Sequence, residues 1–225
     1  MTRNTSDFEW KDKYKDRIAS AAAAMNTIRP GNTVFIGTGC AAPQHLVRAM
    51  VEYSQHLYDV HIMHISTEGA APYADPKMRD KFKLTTFFVA ENVRDAVAVG
   101  AADYTPIFLS EIPLEFEEGR IPVDVALISV SPPDSRGLCS LGVSIDIVKA
   151  AAANAKYVIA QVNANMPRTS GNSTIHINQI DLMVPYDEPV IEVAPARLDD
   201  RLRKIGENVA RLVEQRQRLE RELVR

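Results

Sequence analysis

The sequence predicts an α/β domain built on an open, mainly parallel sheet with helices on both faces. Three observations lead there. Val123–Val130 is a continuous apolar run, the pattern of a strand buried on both faces. Residues 157–162 form a second such run. Around them, strand-like and helix-forming stretches alternate without an internal repeat, as in parallel strands joined by crossover helices.

The elements follow in order. A helix is expected over residues 9–28, because 19–24 is rich in alanine and Pro30-Gly31 stops it. Thr33–Ile36 is a short, largely β-branched strand, and residues 37–42 (GTGCAA) form a small-residue loop. Pro43 suits the first turn of a helix, where its missing N–H costs nothing; that helix runs to about residue 55. Residues 60–65 and 84–89 read as strands, with a loop at 69–80 between them. Asn92 suits the cap of a short helix that closes at Gly100. Residues 106–109 read as a strand end, followed by a helical turn through 118. Residues 144–154 are alanine-rich and helical.

The last segment differs. From Leu198 the apolar positions are Leu198, Leu202, Ile205, Val209, Leu212, Leu219 and Leu223, at spacings 4, 3, 4, 3, 7 and 4, with Arg216 interrupting the seam. This is a heptad stripe on a long charged helix, suited to packing on the sheet or to pairing with another subunit. The expected organisation is an α/β domain over 1–197 and a C-terminal helix over 198–225.

Composition narrows the function. The 225 residues are 46% hydrophobic, ample for a core, and carry a net charge of −3, so no basic footprint for nucleic acid or an anionic membrane is expected. No apolar run nears the ~18–20 residues that span a bilayer. The polar start, MTRNTSDFEWKDKYKDR, lacks the apolar segment of a secretory signal. Cys40 and Cys139 are far apart and form no metal-type pair or disulfide framework. A cytoplasmic location is the expectation.

Several motifs carry chemical possibilities. Gly37, Thr38, Gly39 and the residues through Ala42 match G-x-G-x-x-G/A after a strand and before a helix, where backbone N–H groups can approach a phosphate or carboxylate. The acidic partner of a dinucleotide site is missing: Asp59 precedes the second strand, whereas a ribose-binding acid follows it. The turn then reads as a tight strand-to-helix connection, with a pocket-lining turn as the reading that the family resemblance described below implies. His61 and His64 invite a metal reading, but in a strand they point to opposite faces. His45 belongs to the helix after the glycine turn, on its surface or facing the pocket. Cys40 lies near that helix start, a setting that can lower a thiol pKa, while Cys139 suits a small buried position. No Gly-x-Ser-x-Gly elbow is present. Glu68, Glu91 and Glu111 are read as structural carboxylates, Glu111 as a helix-start residue, with a nucleophilic role as the alternative that the family resemblance described below raises.

Four segments, GTGCAAPQ, PIFLSEIP, VDVALISVSPPD and GLCSLGVSIDIVKAAAANAKYVIAQVNANMPRT, closely resemble the acetyl-CoA hydrolase/transferase family, which includes 4-hydroxybutyrate CoA-transferases. The resemblance spans roughly residues 15–214. It implies a fold of two related α/β halves, of which this chain resembles the first. It implies acyl-CoA and small-carboxylate substrates, with a coenzyme A thioester as substrate and no bound cofactor. In class I CoA-transferases a glutamate attacks the acyl-CoA carbonyl to give a mixed anhydride, and CoA thiolate returns to form a glutamyl thioester. That glutamate and the glycine-rich CoA loops belong to the second half. The resemblance implies that no catalytic residue lies here, and that the partner is a C-terminal half polypeptide or a second copy, without nucleic acid or membrane. After Glu214 the family turns into a strand and glycine-rich loop, whereas this sequence reads QRQRLERELVR. What carries over is a pocket wall: Gly37, Thr38, Gly39 and Gln44; Ser131, Pro132 and Pro133; Asn163, Met166, Pro167 and Arg168. Arg168 is the candidate carboxylate clamp, since a guanidinium binds carboxylates bidentately, with a surface or interface arginine as the alternative.

Overall fold

A computed structural model describes residues 6–195 and 197–212. The described residues divide into two compact units, the first ending at Ile191 and the second beginning at Glu192.

The first unit carries strands β1 (Thr33–Ile36), β2 (Val60–His64), β3 (Phe82–Thr86), β4 (Ala102–Tyr104), β5 (Val123–Val130), β6 (Leu138–Ser140), β7 (Ala155–Val162), β8 (Thr174–His176) and β9 (Leu182–Pro185). Seven form one sheet in the order β4-β3-β2-β1-β5-β7-β9, with every pairing parallel. Its helices are α1 (Ser6–Lys13), α2 (Ala21–Met25), α3 (Gln44–Glu52), α4 (Glu91–Ala98), α5 (Ile112–Glu117) and α6 (Val148–Asn154).

Alternation along the strands splits the core in two. Val34, Ile36, Val125 and Leu127 pack with Met25 of α2, Leu46 and Met50 of α3 and Val93 of α4. Phe35, Ala126, Ile128 and Val130 face the other way, toward Trp10, Phe116 of α5 and Val148 and Ala151 of α6. Both faces are covered, as the apolar run of β5 predicts.

The second unit carries α7 (Asp200–Arg211), capped by Asp199, whose carboxylate accepts from Leu202 N at 2.8 Å. Leu198, Leu202, Ile205, Val209 and Leu212 are all exposed. Arg216, Leu219 and Leu223 lie outside the described residues. Among the described residues no helix is long and apolar enough to cross a membrane.

Local expectations fail where distant partners intervene. The single helix over 9–28 is broken between Lys13 and Ala21. Ile18 forms a parallel bridge with Met183, and Arg17 donates to Ile177 O at 2.9 Å and Ile180 O at 2.6 Å. Ser20 then caps α2 by accepting from Ala23 N at 3.2 Å. Parallel pairing with β2 sets β3 at Phe82–Thr86 rather than 84–89. The chain at 106–109 is not a strand; β4 ends at Tyr104, and Glu111 N closes a turn onto Phe108 O at 2.9 Å. Ala90, not Asn92, caps α4, because the Asn92 amide reaches back to Thr67 Oγ1 at 3.0 Å and Gly69 O at 3.1 Å. Gly100 closes that helix with φ of 66°, as expected. Helix α6 starts at Val148 rather than 144, since Asp146 is engaged by Thr38.

Candidate active-site cleft

The strand order creates the site. The chain leaves β1 toward β2 and later returns from β4 to β5 on the other side of β1. Loops after β1 and β5 therefore diverge, opening a crevice beyond the C-terminal strand ends. A cleft of about 240 Å3 lies there. Cys40 and Ala42 line it from the turn after β1, and Gln44 and Arg48 from α3. Ser129 of β5, Gln161 of β7, Asn163 and Met166 form another wall, and residues 188–191 after β9 complete it.

A polar network organises these walls. Gln161 is only 1% exposed. Its Nε2 donates to Glu188 Oε1 at 2.7 Å, while its Oε1 accepts from His45 N at 3.1 Å. His45 N also approaches Glu188 Oε1 at 3.2 Å, and Arg48 donates to Glu188 Oε2 at 2.7 Å. Burial by itself pushes the Glu188 carboxyl up, but the hydrogen bonds from Arg48 and Gln161 and the Arg48 charge outweigh it and hold the group below the usual carboxylate range. Gln44 is fully engaged with the 68–70 loop, donating to Glu68 O at 3.1 Å and accepting from Ala70 N at 3.0 Å.

Of the residues named from the sequence, Gln44, Asn163 and Met166 line the cleft. The others frame it. Gly37 N donates to Leu127 O at 2.8 Å and Gly39 N to Ser66 O at 2.7 Å, so these two amides hold β1 to its neighbours rather than facing a ligand. Gly39 has φ of 55°, and a Cβ there would lie 2.5 Å from Ser144 Oγ. Thr38 donates to Asp146 at 2.6 Å. Ser131, Pro132 and Pro133 start the loop after β5, and Pro167 leads into Arg168.

Arg168 is held by the chain itself. Its guanidinium donates to Ser131 Oγ at 3.1 Å, Pro132 O at 2.9 Å, Leu138 O at 3.0 Å and Asp134 at 3.4 Å. The fork that would clamp a substrate instead pins the β5 loop. Arg168→Ala is expected to cost about 1 kcal/mol in urea denaturation, at the low end because the side chain is 44% exposed. Arg168→Lys should recover little of it, since a point donor cannot span these acceptors.

The remaining candidates sort by environment. Burial and the Glu68 charge push the Cys40 thiol up, opposite to the activation its position suggested. Cys139 is fully buried, and burial pushes it up to about 12. His61 is exposed and His64 buried, on opposite faces of β2. His45 stacks on Tyr186 with ring centroids 3.6 Å apart. Asp59 pairs with Lys83 before β2. Glu91 and Glu111 are exposed; Glu111 precedes α5 and accepts from Phe108 N at 3.3 Å. Glu68 is half-buried on the loop beside Gln44.

Sequence reasoning missed Arg48, Gln161 and Glu188. Gln161 had a signal, a long polar side chain inside the apolar, buried end of its strand. Arg48 and Glu188 had none, because their pairing spans 140 residues.

An open parallel α/β sheet with a polar cleft at its switch point defines a class of ligand-binding domain. The chain belongs to the acetyl-CoA hydrolase/transferase family: the family model described as the Acetyl-CoA hydrolase/transferase N-terminal domain matches residues 2–195. It is 43% identical to 4-hydroxybutyrate coenzyme A transferase of Clostridium kluyveri over 206 residues, 92% of this chain and 48% of that protein. It is 42% identical to succinyl-CoA:acetate/propanoyl-CoA:succinate CoA transferase of Fasciola hepatica over 185 residues, 81% of this chain and 38% of that one. A crystal structure of 4-hydroxybutyrate CoA-transferase from Porphyromonas gingivalis superposes with a TM-score of 0.76 at 33% identity, covering 91% of this chain and 48% of that chain. The chain spans about half the length of the curated relatives it matches, or less.

Proposed function

We propose that this chain forms the N-terminal half of an acetyl-CoA hydrolase/transferase. It moves CoA between acetyl-CoA and short carboxylic acids together with a C-terminal half that carries the nucleophilic glutamate. The enzyme is cytoplasmic, holds no cofactor of its own, and takes the coenzyme A thioester as substrate. The observation that carries this reading is the family match over nearly the whole α/β domain, combined with relatives about twice as long. The cleft supports it by its place, with a polar wall at the sheet's switch point. The pocket-wall roles of Gly37, Thr38, Gly39, Ser131, Pro132, Pro133, Pro167 and Arg168 are those of a frame, and Gln44, Asn163 and Met166 those of the lining.

The test is exchange of labelled acetate into acetyl-CoA. The chain alone is expected to give none. Adding the C-terminal half of the Clostridium kluyveri relative as a separate polypeptide is expected to restore it. Saturable exchange by the chain alone would overturn the proposal and return attention to Glu68, Glu91 and Glu111. Absence in both mixtures would favour a non-catalytic acyl-CoA or partner-binding module, a reading supported by the exposed Leu202, Ile205 and Val209 on α7.

A further inference from the structure

The Glu188 carboxylate is held in the way a bound ligand carboxylate is held. Its donors come from two elements: the N–H of His45 in the first turn of nine-residue α3 and the guanidinium of Arg48 one turn further along it, and the amide of Gln161 on β7. A helix start, a rigid buried amide and an arginine together suit a carboxylate by charge and by geometry. The same cleft is also lined by apolar Ala42, Met166, Val190 and Ile191, interleaved with polar Gln44, Ser129 and Asn163. Its volume of about 240 Å3 falls below the ~300–1,000 Å3 of sites for drug-sized ligands, so it suits a short aliphatic chain.

The Glu188 side chain is not what holds its own segment in place. The backbone does that separately. Asn163 and Asn165 amides donate to Glu188 O at 2.8 and 3.1 Å, and Glu188 N approaches Asn163 Oδ1 at 3.3 Å. Ala164 N donates to Asp187 Oδ1 at 2.6 Å. The carboxylate can therefore rotate away while residues 187–188 stay anchored. Arg48, with 47% of its side chain exposed, provides the solvent-facing side of the cluster.

We propose that His45 N–H, Arg48 and Gln161 form a binding site for the carboxylate of a short-chain monocarboxylic acid, and that Glu188 occupies this site in the resting chain. An incoming acid takes over the donors while the displaced Glu188 carboxylate turns to solvent, so Arg48 again faces one carboxylate and every donor is re-engaged. Self-occupation lowers apparent affinity by the fraction of time the site is open. Glu188 thereby sets a threshold of acid concentration for filling the cleft. The inference rests on the CoA-transfer reading only for why such an acid would be present.

The test is calorimetric titration of the full chain with propionate, with propionamide as the uncharged control. Wild-type chain should bind propionate weakly, and Glu188→Gln should tighten binding by more than about tenfold. Adding Arg48→Gln to that variant should abolish it. Equal propionate affinity in wild type and Glu188→Gln, or propionamide binding as tightly as propionate, would overturn the proposal. Should Glu188→Gln not fold, side-chain carbon NMR of the wild-type chain decides. Saturating propionate should move the Glu188 carboxyl resonance and raise its titration midpoint toward the ordinary range. A Glu188 signal that ignores propionate would sink the idea. Propionate binding by a chain that gives no CoA exchange even with the C-terminal half added would leave this site standing while removing the transferase reading, and exchange in that mixture without propionate binding would do the opposite.

Discussion

Phe35→Ala is expected to destabilise the chain by about 3–5 kcal/mol, the range for removing a buried aromatic ring from a well-packed core. Phe35 is fully buried in β1, a central strand of the sheet. Its ring meets Phe116 of α5 edge-on, with centroids 6.0 Å apart and planes at 74°. Its register neighbours on the two adjacent strands are Met63 and Ala126, and both belong to the same core face. Ala126 is too small to fill the void, and the backbones on either side are locked by parallel ladders, so the cavity cannot collapse. The effect reaches the cleft, because two residues later Gly37 begins the turn that leads to Cys40 and α3. Urea denaturation measures the loss, and Phe35→Leu should recover much of it by restoring volume. A Phe35→Ala chain within about 1 kcal/mol of wild type would mean that this face of the sheet is far more plastic than its burial implies.

The second large effect is a loss of stability in mild acid, centred on His64. This ring is fully buried at the end of β2, and its Nε2 has no hydrogen-bond partner. Burial pushes its pKa down to about 4 from an ordinary 6.5. Between those values the unfolded chain binds a proton that the folded chain refuses. Stability is therefore full above about pH 6.5 and falls as the pH drops toward 4, by about 3 kcal/mol in all. Glu188, Asp124 and Asp134 all have pKa values held below the usual carboxylate range, so their contributions disappear only at lower pH. His45, also lowered chiefly by burial, adds a smaller term of the same sign because it is more exposed. Denaturant midpoints across pH 7 to 4 measure the slope, and His64→Gln should flatten most of it. An unchanged slope in that variant would assign the acid sensitivity elsewhere.

The legibility of the fold and of the cleft differs for a physical reason. Strands β1, β5 and β7 were readable because a strand buried on both faces must be apolar along its length, whatever its neighbours. The helix over 9–28 was misread because its residues favour a helix locally, while Ile18 and Arg17 find better partners near residues 177–183. Strands β6, β8 and β9 escaped notice because they are short and set by pairing rather than by propensity. The site shows the same division. Gln44, Asn163 and Met166 were named from the family resemblance, and they lie on the cleft. Arg168 was the natural choice for a clamp, since its type and loop position suit one; four acceptors of the chain's own backbone and side chains take that role from it.

The sequence by itself determined the alternating α/β architecture, the absence of an apolar stretch able to cross a membrane, the family, and the restriction of the match to one half of it. The first two follow from local composition and period, and the last two from the resemblance of particular segments to a known family; all are properties of neighbours along the chain. Only the tertiary structure decided which polar residues meet. Arg48 joins Glu188 across 140 positions, and His45 N–H joins Gln161 across 116. Contacts of that range depend on strand order and on the point where the order reverses. Gln161 stands out within its strand, but nothing in the sequence names the residues it meets.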